Sequence, residues 1–233
     1  LSLHDALPIS PTKPHIVSVN WGNGQTEKFV MKLKSEGFSS YRTVSVSFES
    51  MDGSGSTLIS NYTSSGWKYE NNQIYYLDWS SFDTVDYDPD IWQLTRPDGT
   101  VYQISCTDGI QKIIDANGNQ VVFKNNSIIQ TDADKNQETI SINRDSNGRI
   151  TSIVSPTGKN VSYAYDENGD LASVTDISGD VTTFRYEDHY LTEIIDPRGV
   201  RVSKNIYDEN GRLIKTIDAD GNELTYNHDN DRS

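Results

Sequence analysis

Apolar and polar residues alternate in short runs along the second half of the chain, with the period of two that is typical of β-strands. Val161, Tyr163 and Tyr165 follow this spacing, which places them on one face of a strand. The same spacing recurs at Thr182, Phe184 and Tyr186, and at Leu224, Tyr226 and His228. No helical period of useful length interrupts the pattern. The sequence therefore predicts an all-β chain of short strands.

Two turn signals separate the runs. The first is Asn-Gly, at residues 147–148, 168–169 and 210–211, where both residues tolerate a positive φ. The second is Asp-x-x-Gly, at residues 176–179, 196–199 and 218–221. The aspartate can bond its own following backbone, and the glycine accepts the left-handed conformation. Two strands and two turns then make one antiparallel hairpin that leads into the next.

The hairpins repeat at a fixed interval. Tyr165, Tyr186, Tyr207 and His228 are separated by equal steps of 21 residues, and the heptapeptides YDENGDL and YDENGRL begin at two of them. A fixed period of this size indicates a repeat architecture. The copy at residues 186–206 deviates, because its first turn lacks Asn-Gly and is one residue short. The segment from Gly199 to Tyr207 is one residue longer and restores the register.

The second strand of each repeat shows a different spacing. Leu171 and Val174 are three residues apart, which would place them on opposite faces of a regular strand. Either a β-bulge or partial burial of both faces accounts for this spacing, and the sequence leaves the two open. The same spacing separates Ile150 from Ile153 and Leu191 from Ile194.

Three segments are predicted. Weaker turn-and-strand copies reach upstream, so the repeat array is assigned to residues 92–233 and is expected to be incomplete at its C-terminal end. Residues 14–91 lack the period and are predicted to form a small β domain or plug before the repeats. Residues 1–13 are set aside as an artefact or a disordered tail, because LSLHDALPIS resembles a translated sequencing adapter.

The repeat text resembles that of a known family. Residues 207–221, with Tyr-Asp-x-x-Gly-Arg-Leu followed by Asp-x-x-Gly, resemble the YD repeat of Rhs proteins. Residues 92–102 resemble the segment that often precedes such arrays. The resemblance assigns a repeat-structural role to Tyr165, Asp166, Gly169, Leu171, Gly179, Tyr186, Gly199, Tyr207, Asp208, Gly211, Leu213 and Gly221.

The resemblance also implies a fold and a function. YD repeats form a curved antiparallel β-meander, part of a spiralling β-shell, and in bacteria that shell encloses a variable C-terminal toxin. The chain would then be a shell segment of a secreted or cell-surface bacterial protein. Its partner would be an intramolecular toxin domain outside these residues. No enzymatic activity, cofactor or metal is expected of such a segment.

Composition limits the partners further. The chain of 233 residues has a net charge of -14, which disfavours binding to nucleic acid or to anionic membranes. No apolar run approaches the ~20 residues of a membrane-spanning helix. The single cysteine, Cys106, excludes an internal disulfide, and its expected place is a buried strand position.

An alternative function is that of an adhesin. Aromatic residues are dense before the repeats, and Trp67, Tyr69 and Trp79 are the candidates for stacking on the sugars of cell-wall glycans. Aromatic residues also fill cores, and core packing is the favoured interpretation of the cluster. Asp132 and Asp218 begin segments that resemble calcium loops, but neither has the glutamate that a full EF-hand loop needs at its twelfth position.

Overall fold

The computed structural model describes residues 2–5, 15–36, 43–70, 73–78 and 83–228. All regular elements within these ranges are β-strands, and the strands pair in antiparallel fashion. The prediction of an all-β antiparallel meander is therefore confirmed. Trp79, one of the three candidate sugar-binding residues, lies outside the described residues.

The chain divides into two compact units. The first comprises residues up to 124 together with 128–138, and the second comprises residues 125–127 and those from 139 onward. Strands β1 to β13 are Ser2–Asp5, Ile16–Asn20, Thr26–Glu36, Thr43–Ser50, Thr57–Ser60, Trp67–Glu70, Gln73–Asp78, Asp83–Asp86, Ile91–Thr95, Val101–Ser105, Gly109–Ile114, Gln120–Lys124 and Ser127–Thr131. Strands β14 to β22 are Gln137–Arg144, Ile150–Val154, Asn160–Tyr165, Leu171–Thr175, Val181–Glu187, Tyr190–Ile195, Arg201–Tyr207, Leu213–Asp218 and Glu223–Thr225.

The main core of the first unit lies between two groups of strands. Strands β1 to β4 pair in sequence, and β5 pairs with β9, which pairs with β10. The alternating apolar residues of the two groups pack together. The fully buried members are Val17, Val19, Phe29, Leu58, Trp92, Leu94 and Ile104. Residues 2–5, which the sequence analysis set aside, form a strand that pairs with β2.

A second core cluster lies under strands β6 and β7. Trp67 and Ile74 are each 3% exposed and pack with Met31, Val44 and Val46. The main core also includes residues that follow residue 91 in the sequence. Because Trp92, Leu94 and Ile104 belong to the main core, the first unit extends beyond residue 91, where the sequence analysis placed the end of the small β domain.

The second unit is a meander in which each strand pairs with the next along the chain. The register places apolar side chains opposite one another on what we call the apolar face, as in the pairs Tyr163–Val174 and Phe184–Ile194. The opposite, polar face carries most of the serine, threonine and charged residues, together with Ile195, Ile206 and Ile217. Between residues 139 and 228 no side chain is buried.

Candidate functional site in the repeat sheet

The turns of the repeats share one hydrogen-bonded geometry, which Asp208 illustrates. The Asp208 N–H donates to the Arg212 carbonyl (2.9 Å), and the Gly211 N–H donates to the Asp208 carbonyl (3.0 Å). The Asp208 carboxylate accepts the N–H groups of Asn210 (2.9 Å) and Arg212 (2.8 Å). Gly211 has a φ of +75°. This arrangement is a type I turn followed by a left-handed glycine, which forms a bulge.

The same geometry holds for both turn signals. In each turn the aspartate Oδ1 accepts the N–H groups two and four residues later, and this occurs at Asp115, Asp145, Asp166, Asp176, Asp196, Asp208 and Asp218. Among the described residues, the only non-glycine positions with positive φ are Lys135, Asp188 and His189. The interpretation of Asn-Gly as a turn with two positive φ angles was therefore wrong. The asparagine is the third position of an Asp-x-Asn-Gly turn.

The deviant repeat forms the two-residue turn instead. Glu187 pairs with Tyr190, so the loop consists of Asp188 (φ 49°) and His189 (φ 67°). Positive φ at both central residues defines a type I′ turn. His189 Nδ1 lies 3.0 Å from both carboxylate oxygens of Asp170. The extra residue that restores the register is Val202, which has no partner between the pairs Ile195–Arg201 and Ile194–Ser203.

A β-bulge explains the spacing of three that the sequence left open. Tyr165 pairs with Leu171 and Ala164 with Ser173, so Ala172 is the extra residue. The bulge returns Leu171 and Val174 to the same face, the apolar one. Equivalent register shifts make Thr151, Thr192 and Ile214 the extra residues in the neighbouring hairpins.

The repeat tyrosines reach back to these bulges. The Tyr165 hydroxyl donates to the Ile150 carbonyl (2.8 Å), and the Tyr207 hydroxyl donates to the Leu191 carbonyl (2.9 Å). Each acceptor immediately precedes a bulge residue. His228, at the next step of the period, has its Nε2 2.8 Å from the equivalent Leu213 carbonyl. At Tyr165, Tyr207 and His228 the ring at this position therefore ties its hairpin to the irregular point of the preceding one.

In two of the repeats the residue after the first turn covers a repeat ring. The Arg149 guanidinium lies 4.4 Å from the centroid of the Tyr165 ring, and its Nε donates to Asp145 (2.8 Å). Tyr190 takes the same role against Tyr207, with ring centroids 5.0 Å apart. Sequence reasoning did not assign a role to Arg149 or Tyr190. Their position directly after the turn was the available signal.

The other predicted structural residues occupy matching places. Leu171 and Leu213 pair with the tyrosines Tyr165 and Tyr207 across the bulged hairpins. The pKa of Tyr186 is raised, first because partial burial disfavours the phenolate and then because Asp170 and Asp166 add negative charge. The glycines of the turns have positive φ and include Gly169, Gly179, Gly199, Gly211 and Gly221.

The turn hydrogen bonds lower the pKa of several aspartates. For Asp196 and Asp208 the main cause is the backbone N–H four residues later, from Val200 and Arg212 respectively. For Asp218 it is the side-chain amide of Asn222, and Asp115 and Asp132 show the same arrangement. The carboxylates that resembled calcium ligands therefore already accept protein donors. In the described part of the chain, no three His, Cys, Asp or Glu side chains are grouped to hold a metal ion.

These lowered pKa values predict an acid-sensitive meander. Each aspartate contributes stability that is present above its unfolded-state pKa of about 3.9 and is lost as the pH falls through the lower folded-state pKa. The urea midpoint is therefore expected to drop between pH 5 and pH 3, and Asp208→Asn should reduce that drop. The exposed Glu209→Gln change in the same turn serves as the control. An equal drop in Asp208→Asn and the wild type would contradict the assignment.

His189 contributes with the opposite sign. The hydrogen bond and the charge of Asp170 raise its pKa. Its contribution is present below its unfolded-state pKa of about 6.5 and is lost as the pH rises through the folded-state value. Measurements between pH 5 and pH 3 keep this histidine protonated and therefore separate its effect from that of the aspartates.

Two of the candidate sugar-binding aromatics, Trp67 and Tyr69, pack in the second core cluster. Trp67 is 3% exposed, and its indole N–H donates to the Thr63 carbonyl (2.7 Å), so no ring face is open to a sugar. Tyr69 is half-buried against the same core cluster. Cys106, which was expected to be buried in a strand, lies exposed in the turn after β10.

Together these features define a class: a repeat protein of bulged antiparallel hairpins, in which a ring at the repeat position bonds back to the preceding hairpin at Tyr165, Tyr207 and His228. A family model described as RHS Repeat matches residues 144–176 and 165–201. Residues 144–201 therefore carry RHS repeats, as the YD motifs predicted. No curated protein matches the sequence.

Solved structures of toxin complexes show a loose likeness. The crystal structure of TcdB2-TccC3-Cdc42 matches 89% of this chain at 14% identity and a TM-score of 0.36. A Photorhabdus luminescens Tc holotoxin pore with a mutated TccC3 matches 94% of it at 13% identity and a TM-score of 0.37. This chain spans only 13% and 16% of the length of those two chains. No helix in the described residues is long and apolar enough to cross a membrane.

Proposed function

We propose that this chain forms part of the wall of an exported bacterial shell that encloses another polypeptide. In the full-length protein that polypeptide would be a C-terminal toxin domain outside these residues. The observation that carries the proposal is the uncovered apolar face of the second unit. Tyr163, Val174, Phe184 and Ile194 lie on this face, yet none of them is buried.

The two faces of the meander differ in a way that suits a wall. The polar face carries ion pairs such as Arg185–Glu193 (3.2 Å) and Lys215–Glu223 (2.7 Å). Exposed pairs of this kind add little stability but keep a surface soluble. The apolar face would line the interior, where a non-native polypeptide offers apolar groups to cover it.

The proposed role is structural and requires no catalysis. Acidic residues are abundant, but they recur at most of the turns, where their oxygens accept backbone N–H groups. A catalytic pair would instead need two carboxylates in one set geometry with separated pKa values. The same reasoning leaves the chain without a requirement for a metal or cofactor.

Binding of an unfolded polypeptide tests the proposal. Reduced, carboxymethylated α-lactalbumin is a suitable probe, because it stays unfolded in native buffer. We expect saturable binding to the purified chain, weakened about tenfold or more by Phe184→Glu, since a charge on the apolar face must be desolvated. Far-UV circular dichroism checks that the sheet is retained.

Thr183→Glu is the matched control, because Thr183 precedes Phe184 and lies on the opposite face. It should leave the binding unchanged. Absence of any binding by the wild type would overturn the proposal. Titration with cell-wall glycans covers the adhesin alternative, which would be favoured by saturable glycan binding together with no affinity for the unfolded probe.

A further inference from the structure

The two edges of the second unit differ although their turns are built alike. Alternate turns of a meander lie at opposite ends of its strands, and we use edge here for a row of strand ends, not for an outer strand. One row, which we call the apolar edge, contains the turns at 155–158, 176–179, 196–199 and 218–221. The turns at 145–148, 166–169, 187–190 and 208–211 share the other, the acidic edge. Both sets use the type I turn with a left-handed glycine, except for the type I′ turn at 188–189.

The second position of each turn separates the edges. On the apolar edge it is Pro156, Ile177, Pro197 and Ala219, and on the acidic edge Ser146, Glu167 and Glu209 hold it in the turns of the same geometry. Pro156 and Pro197 suit the second position of a type I turn, because proline presets the φ angle there. Turn chemistry does not explain Ile177, which an apolar contact at this edge would account for.

The apolar edge also exposes large side chains. Ile177 is 57% exposed, Val181 and Val200 are each 42% exposed, and Val202 is 37% exposed. They lie at two neighbouring turns of this edge, which are two strands and hence about 10 Å apart. Exposed aliphatic groups clustered in this way indicate a contact surface.

The charges around this patch make it the less repulsive of the two edges toward another acidic chain. Residues 176–180 and 196–202 contain Asp176, Asp180, Asp196, Arg198 and Arg201, which sum to a net charge of -1. The matching turns of the acidic edge, residues 166–170 and 187–190, contain five carboxylates and no lysine or arginine, for a net charge of -5. A chain with a net charge of -14 can therefore approach a second copy most easily through the apolar edge.

We propose that the apolar edge docks against the apolar edge of a second copy of this chain. A twofold axis makes such an interface self-complementary. It brings Ile177 and Val200 of the two copies together. It also sets Arg201 of each copy, which lies 3.8 Å from Glu193 of its own chain, against Asp180 of the other. This surface is separate from the apolar face, so it does not depend on the proposed shell function.

Sedimentation velocity over a range of concentrations tests the interface. The wild-type chain is expected to form a reversible dimer, and Ile177→Glu should raise its Kd about tenfold or more. Glutamate holds the same turn position on the acidic edge, at Glu167 and Glu209, so the turn accommodates it. Ser146→Glu adds the same charge at that position on the acidic edge and should leave the Kd unchanged.

A charge exchange tests the twofold pairing. Arg201→Asp alone should weaken the dimer, and Arg201→Asp combined with Asp180→Arg should restore it. A wild-type chain that stays monomeric would overturn the proposal. So would a dimer that survives Ile177→Glu but dissociates on Leu224→Pro, because that result would assign the contact to the outer strand β22.

Discussion

Replacing Trp67 with alanine is expected to lower the free energy of unfolding of the first compact unit by about 3–5 kcal/mol, the usual cost of truncating a buried aromatic residue. The ring contacts Tyr62, Tyr76 and Tyr87 at centroid distances of 5.4, 5.9 and 4.9 Å. Its N–H donates to the Thr63 carbonyl (2.7 Å), which would lose that donor. Urea denaturation followed by circular dichroism measures the change.

Ile59→Ala is the control for the Trp67 substitution. Ile59 is also in a strand of the first unit but is 55% exposed, so its loss should cost about 1 kcal/mol or less. Equal losses for the two variants would contradict the placement of Trp67 in the core. The result also bears on the adhesin alternative, because any loss of glycan binding in Trp67→Ala must be separated from unfolding.

The hairpin repeat was predictable because its signals are local. Apolar alternation identifies the strands, and the aspartate and glycine of each turn determine its bonds within five residues of sequence. The short turn at Glu187–Tyr190 could also be located, because the first turn of the copy at 186–206 is one residue short. Its type I′ geometry at Asp188 and His189 could not be predicted. The choice of turn type depends on the register of the strands that flank it.

The bonds of the repeat tyrosines could not be predicted in the same way. Tyr165 donates to the carbonyl of Ile150, a backbone atom that carries no sequence signature. The interaction exists only because a bulge at Thr151 shifts the register there. The spacing of Ile150 and Ile153 allowed for such a bulge, but partial burial of both faces would have given the same spacing.

Burial before the repeats depends on distant pairings. Trp67 is buried because β6 pairs with β4 and the ring then meets Tyr87, 20 residues later in the chain. A cluster of aromatic residues in the sequence does not distinguish that arrangement from an exposed platform. The same limit applied to Trp92, whose strand resembles the start of the array yet contributes to the core of the first unit.

Gly211→Ala is expected to destabilise the second unit by about 2–3 kcal/mol, more than the same change at Gly148. Both glycines have positive φ, +75° and +82°, so each substitution costs about 1–2 kcal/mol of backbone strain. A Cβ at Gly148 would meet nothing within 4 Å, whereas a Cβ at Gly211 would lie 2.6 Å from Tyr190 Cζ. Tyr190 must then leave the Tyr207 ring, which forfeits an aromatic contact of about 0.5–1.5 kcal/mol.

A double-mutant cycle isolates the contribution of the ring. In a Tyr190→Ala background the cost of Gly211→Ala should fall to that of Gly148→Ala, because only the backbone strain remains. Hydrogen exchange of the β20 and β21 amides measures the local free energy of opening, which suits a repeat array better than a global transition. If Gly211→Ala and Gly148→Ala cost the same in the wild-type background, then Tyr190 does not hold its place over the turn. The covering of the Tyr207 ring would have to be assigned to another group.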